Sequence, residues 1–138
     1  MARVLGIDPG TKRCGIAVTN SDQTMAFPRP AIERDDQTIA RLRDLVEEES
    51  IGVIVIGRPI ALSGRDTAST ADADVLFDQV RTNFDTLIVS QWDERLTTRE
   101  AQKSLSEAGL TAKASRERLD SAAAVIMLQN YVDGLNAE

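Results

Sequence analysis

Arg3-Val4-Leu5-Gly6-Ile7-Asp8-Pro9-Gly10-Thr11-Lys12-Arg13-Cys14-Gly15-Ile16-Ala17-Val18-Thr19 is the stretch whose reading decides the fold. An apolar run, Val4 to Ile7, ends in a carboxylate at Asp8. Pro9 and Gly10 turn the chain, and a second apolar run, Ile16 to Val18, leads away, so the stretch reads as a hairpin with Asp8 at its mouth. Aspartate is depleted inside strands, and a buried carboxylate without a partner is costly. Asp8 therefore either starts the turn, which Asp before Pro-Gly does well, or belongs to a site where a metal ion or a phosphate compensates it. Cys14, at the start of the second strand, reads as a small core residue.

Working outward, the chain of 138 residues is long enough for one domain, 1–138, with a real core. Hydrophobic residues make up 42%, yet no apolar run reaches membrane-spanning length. The N-terminal residues lack a signal peptide's charged start and apolar segment. A single cysteine has no internal disulfide partner, which fits a reducing cytoplasm. There is no histidine, which removes Ser-His and Cys-His catalysis and histidine-ligated zinc. Carboxylate, lysine, arginine, hydroxyl and metal chemistry remain. A net charge of −6 argues against binding a polyanion through the whole surface, so a nucleic-acid partner needs a local basic patch or a bound cation.

After the hairpin, Thr24 to Phe27 reads as a short third strand followed by a connection stiffened by Pro28 and Pro30. Gln37 to Glu49 carries Ile39, Leu42, Leu45 and Val46 at the spacing of one helix face, with Glu47 to Glu49 as a solvated end. Ile51 to Gly57 is a β-branched run expected of a strand covered on both faces. Ala68 to Phe84 reads as a helix with Ala71, Val75, Leu76 and Val80 inward. Thr86 to Trp92 reads as another buried strand, ending in Asp93-Glu94-Arg95. A capping box, Thr97 with Glu100, opens a helix that Gly109 stops. A final helix, Leu119 to Leu135, is opened by Asp120-Ser121, with Ala122, Ala123, Ile126 and Met127 against the sheet. The order implies an α/β fold, a mixed five-stranded sheet with helices on both faces.

Three carboxylates fall at strand ends or a helix start: Asp8, Glu94 or Asp93, and Asp120. If they converge they repel, by roughly 4 kcal/mol for a pair ~4 Å apart at an effective dielectric of about 20. A divalent cation turns that cost into binding, and all-oxygen ligation favours Mg²⁺ or Mn²⁺. Metal-assisted phosphodiester hydrolysis is the chemistry such a site performs best. The competing reading makes Asp93 and Glu94 helix-start charges and Asp120 a helix cap.

These residues carry a resemblance. Gly6 to Ala17, Val55-Ile56-Gly57-Arg58-Pro59 with Ser63-Gly64, Asp93 to Ala101 and Asp120 to Leu128, in this order in so short a chain, resemble the YqgF/RuvX family of Holliday junction resolvase-like or pre-16S rRNA nucleases. The first motif alone is shared with sugar kinases and actin-like ATPases, which need two such domains. The resemblance implies a ribonuclease H-like fold, with Asp8, Glu94 and Asp120 as catalytic acids holding divalent metal, Mg or Mn, two ions with substrate. It also implies a cytoplasmic nuclease maturing the 5′ end of 16S rRNA in ribosome biogenesis. The expected partners are RNA, ahead of branched DNA, and a ribosomal or pre-ribosomal component. The expected state is a monomer or weak homodimer, with no membrane. The alternatives are resolution of four-way DNA junctions and, in a different class, a non-catalytic nucleic-acid-binding or regulatory protein.

Physical argument adds the neighbours. Thr11, Lys12 and Arg13 follow the Asp8 turn and either hold a substrate phosphate or are exposed turn residues. Arg95 either orients Glu94, contacts phosphate or forms a structural ion pair. Arg58, Arg65, Lys113, Arg116 and Arg118 would supply the local positive field, the last two standing shortly before Asp120. Two positions depart from the family pattern: Arg58 stands for a leucine and Ala61 for an asparagine.

Overall fold

The computed structural model describes residues 2–59, 67–94 and 115–136. The expected loop through Ser63 to Asp66, Ala61, and the expected helix from Thr97 to Gly109 lie outside the described residues.

The first hairpin forms as its sequence dictates. Strand β1, Arg3–Asp8, pairs antiparallel with β2, Arg13–Thr19, placing Ile7 opposite Ile16 and Asp8 opposite Gly15. The turn between them needs Gly10, because a Cβ there would collide with the Arg13 carbonyl oxygen. Strand β3, Ala26–Glu33, follows antiparallel to β2. Helix α1, Thr38–Glu49, leads into β4, Ile51–Arg58, and helix α2, Ala68–Asn83, into β5, Ile88–Asp93. Both β4 and β5 run parallel to β1, giving one mixed five-stranded sheet in the order β3-β2-β1-β4-β5. The last described element is helix α3, Ser115–Asn136.

Strand alternation divides the core between two faces. Leu5, Ile7, Ile16, Val18, Ile54 and Ile56 project toward α1 and α2, meeting Leu42, Leu76 and Val80. Val4, Ala17 and Val55 project the other way, onto Ala124, Val125, Met127 and Leu128 of α3. Gly6 lies on this second face, where a Cβ would stand 3.0 Å from the Leu128 Cβ, so the missing side chain lets α3 lie close to β1. The sheet with helices on both faces is thus the expected one.

Several expectations fail for physical reasons. Strand β3 continues through Pro28 and Pro30 instead of stopping at Phe27. It is the sheet's edge, where a missing ladder donor is tolerated. Strand β5 is the opposite edge, so Ile88 is 67% exposed rather than buried. On α2, Ala71 and Val75 face outward and Thr70, Ala73, Leu76 and Val80 face the sheet. On α3, Ala123 is exposed, Ala122 and Ile126 are only partly covered, and Ala124, Val125, Met127 and Leu128 make the contact. Helix α3 is already formed at Ser115, so Asp120 sits in its second turn and is not its cap. Glu49 is not a solvated helix end. Its carboxylate accepts from Arg3 and Arg29, each at 2.6 Å, tying α1 to β1 and β3.

Candidate active site

Asp8 continues the alternation of Val4 and Gly6, and so lies on the α3 face of the sheet at the C-terminal end of β1. Across β4, Trp92 of β5 packs on the same face, with its ring edge-on to Tyr131 of α3 at 6.0 Å between centroids. Glu94, two residues beyond Trp92, is carried to that face too. Gly57 sits between the two acids in the sheet order, and it is bare where a side chain would obstruct Glu94. A Cβ on residue 57 would stand 3.0 Å from the Glu94 Cδ and 3.0 Å from the Met127 Sδ.

The outcome is a pair of carboxyl groups. Asp8 and Glu94 share a side-chain hydrogen bond. Burial pushes Asp8 above its ordinary value, and its bond to Glu94 pulls it partly back. Glu94 is pushed up to about 8 by burial first, then by its bond to Asp8 and by the negative charges of Asp8 and Asp93. Two carboxylates this close cannot both ionise cheaply, so one proton lies between them, with Glu94 as donor and Asp8 as acceptor. Glu94, and not Asp93, is therefore the residue that meets Asp8. Strand alternation alone left the two open, because which face is which becomes visible only once Trp92 is seen against Tyr131.

The third acid is placed by its helix backbone. Asp120 lies on α3, and its side chain is outside the described residues, as are those of Arg116 and Arg118 on the same helix. The neighbouring Ser121 is described and fully buried. Its hydroxyl accepts from the Ile16 amide at 3.0 Å and donates to the Arg29 carbonyl at 2.6 Å. Ile16 and Arg29 face each other across β2 and β3, beside a register shift between Cys14 and Ile16. The hydroxyl thus fills a gap in the ladder. Since Gly15, next to Ile16, is the residue opposite Asp8, this anchor brings the α3 segment that carries Asp120 to the end of the sheet where Asp8 lies. The sequence showed Ser121 only as a helix opener.

The remaining expected residues divide. Thr11 and Lys12 are exposed on the turn that follows Asp8, and Arg13, also exposed, opens β2. Arg58, at the end of β4, gives its fork to Asp74 of α2, with Nε and Nη2 at 2.9 and 3.1 Å from the carboxylate. Gln91 of β5 donates to the same Asp74 at 2.9 Å. Arg58, Asp74, Phe77, Asp78 and Gln91 line an open hollow of about 440 Å³. Arg65, Arg95 and Lys113 lie outside the described residues.

The donor set suits a hard divalent cation: oxygen only, two carboxyl groups in contact, and a proton held where a cation would relieve the repulsion. Among the described residues no group of three or more His, Cys, Asp and Glu side chains gathers. The described part of the site is the Asp8–Glu94 pair.

Comparison with known proteins then places the chain. A family model described as RuvX, Holliday junction resolvase, matches residues 2–134. A protein of Maridesulfovibrio salexigens named "Putative pre-16S rRNA nuclease" is 39% identical over 132 residues, covering 94% of this chain and 97% of its own length. One of the same name from Mycobacterium ulcerans is 41% identical over 133 residues, covering 95% and 78%. Among solved structures, T. thermophilus RuvC in complex with Holliday junction substrate superposes with a TM-score of 0.71, covering 99% of this chain and 96% of that one. At 13% identity that likeness speaks for the fold, the ribonuclease H-like one expected from the sequence. On the family match and these relatives, the chain belongs to the RuvX family.

Proposed function

We propose that the protein is a divalent-metal-dependent nuclease that hydrolyses phosphodiester bonds in RNA, cutting at the 5′ end of pre-16S rRNA in the cytoplasm. The carrying observation is the Asp8–Glu94 carboxyl pair, hydrogen-bonded to each other where β1 and β5 end, with burial holding both groups above their ordinary values. The names of these relatives, which the match covers over 97% and 78% of their own lengths, support the substrate.

In this reading Asp8, Glu94 and Asp120 hold Mg²⁺ or Mn²⁺. When bound, the cation supplies activation of the attacking water and stabilisation of charge on the phosphoryl oxygens. The protein's own part is for Glu94 to give up its proton to solvent, which would leave two carboxylates as ligands. Thr11 offers a hydroxyl, and Lys12 and Arg13 offer charge, to the substrate backbone beside the scissile bond. Arg95, Lys113, Arg116 and Arg118 extend the positive rim that the net charge of −6 makes necessary.

A second reading is cleavage of four-way DNA junctions, favoured by the description of the matching family. The same acids would serve, but paired nicks need two symmetric sites, so a stable dimer would favour it and a monomer or weak homodimer favours RNA. The test is cleavage of a precursor 16S 5′ end and of a synthetic four-way junction, with Mg²⁺ and with Mn²⁺, by the natural protein and by Asp8→Asn. Metal-dependent RNA cleavage that vanishes in Asp8→Asn, with the melting temperature kept, is the expected result. Unchanged cleavage in that variant would remove Asp8 from the site, and cleavage of the junction alone would transfer the assignment to the second reading.

A further inference from the structure

Arg34 stands in the link between β3 and α1, in no motif and far in sequence from the acids, yet it is among the most engaged side chains of the described residues. Only 13% of its side chain is exposed. Its Nη1 donates to the Gly10 carbonyl at 2.9 Å and to Asp72 at 3.0 Å, and its Nη2 donates to the other Asp72 oxygen at 3.0 Å. Its backbone amide donates to the Lys12 carbonyl at 2.9 Å. One residue therefore grips the turn at two points, Gly10 and Lys12, and its fork fastens the turn to α2. The Cys14 thiol lies below, in contact with the Gly10 backbone and the Arg34 side chain. A partly buried ion pair is a weak source of stability, since desolvation and the ordering of two side chains offset most of its attraction. What a planar fork provides is geometry.

We infer that Arg34 and Asp72 form a clamp that sets the shape of the Gly10–Lys12 turn and so presents Thr11, Lys12 and Arg13 to a nucleic-acid phosphate. Arg34 is a positioning residue: it acts through the turn. The role in phosphate binding rests on the function proposed above, whereas the effect on the turn does not.

The two parts are separated by measuring two variants, Arg34→Lys and Asp72→Asn. The first keeps the charge and loses the fork; the second keeps an acceptor and loses the ion pair. Hydrogen exchange at the residue-34 amide, which reports on the Lys12 carbonyl, is expected to quicken at least tenfold in both. Affinity for a fluorescein-labelled RNA carrying the 16S precursor 5′ end, measured in EDTA, is expected to fall about five- to tenfold. Its salt dependence should stay as steep as in the natural protein, because Lys12 and Arg13 keep their charges. Lys12→Ala, by contrast, should lower affinity and flatten the slope by about one. Exchange and affinity both unchanged, with only the melting temperature lowered, would make the pair a structural staple and overturn the clamp. Faster exchange with undiminished RNA affinity would overturn the phosphate role alone. Should the natural protein bind no RNA, the function proposed above fails, and the exchange result still decides whether Arg34 shapes the turn.

Discussion

Gly57 leaves open the space that the Glu94 carboxyl group occupies: a Cβ at residue 57 would stand 3.0 Å from the Glu94 Cδ and 3.1 Å from its Oε2. Met127 blocks the other direction at 3.0 Å. A methyl group here must displace either the acid or the core methionine. Gly57→Ala is therefore expected to fold, with overpacking costing about 1–3 kcal/mol. It should also lower kcat/KM for cleavage by about tenfold or more, equivalent to ~1.4 kcal/mol of transition-state stabilisation. Thermal melting and steady-state kinetics check this together. Full activity at normal stability would show that Glu94 needs no such space.

Glu94 also sets a pH dependence. In the folded protein without cation it keeps its proton up to about 8, whereas in the unfolded chain it releases it near its ordinary 4.5. Between these values the folded state binds more protons, so stability falls as pH rises through the window and levels off above it. Asp8, also raised, acts in the same direction. The lowered carboxyls of Asp35, Glu49 and Asp74 act on the acid side, losing their contribution as pH falls below the ordinary carboxylate range. The melting temperature in EDTA should drop from about pH 5 to about pH 8, and Glu94→Gln should flatten that drop. Added Mg²⁺ or Mn²⁺ must displace the proton, so its stabilisation should be larger at the alkaline end.

How much of this could be read from the chain follows from where the information lies. Asp8 was legible because the apolar run, the carboxylate and Pro-Gly are contiguous, and β4 because its β-branched run has one reading. The length of β3 was not, since Pro28 and Pro30 end a strand unless it is an edge, and edge position is a property of the whole sheet. The same ignorance made Ile88 look buried. Helix α3 was mis-faced because a run of alanines offers no polar contrast to orient it. Glu94 could be named over Asp93 only from the family pattern. In the structure the reason is the contact of Trp92 with Tyr131. Arg34 and Asp72 were invisible for the opposite reason: their pairing spans 38 positions and leaves no local trace.

Asp74 pairs with Arg58, one of the residues expected from the sequence to meet the substrate. Hydrogen bonds from Arg58 first, and then from Gln91, keep the Asp74 carboxyl below the usual carboxylate range. The pair is partly exposed, so its loss should cost only about 0–1 kcal/mol of stability. Asp74→Asn, which removes a negative charge beside Arg58, is expected to tighten RNA binding and steepen its salt dependence, whereas Arg58→Ala is expected to weaken binding. Fluorescence anisotropy across a salt series measures both. Unaltered binding in both variants would remove Arg58 from the substrate-contacting set.

Ser121 ties the third acid's helix to the sheet, and its removal should have two separable effects. In Ser121→Ala the Ile16 amide, buried in the ladder, loses its acceptor and the Arg29 carbonyl loses a donor. An orphaned buried donor costs about 1–3 kcal/mol, so the melting temperature should fall accordingly. Water cannot easily replace the hydroxyl, because Ser121 and Ile16 are both fully buried. The local effect is on the backbone next to Asp120, the third acid proposed above as a ligand. Affinity for Mn²⁺ should weaken more than stability alone explains, and the chain's single tryptophan, Trp92, packed on Tyr131 of the same helix, offers the signal. Titrating Mn²⁺ against Trp92 fluorescence in Ser121→Ala and in a control destabilised to the same degree at a distance, such as Leu42→Ala, separates the two. Equal Mn²⁺ affinities in these variants would confine Ser121 to stability, whereas weaker binding in Ser121→Ala alone would make the β2–β3 anchor part of how the acids are brought together.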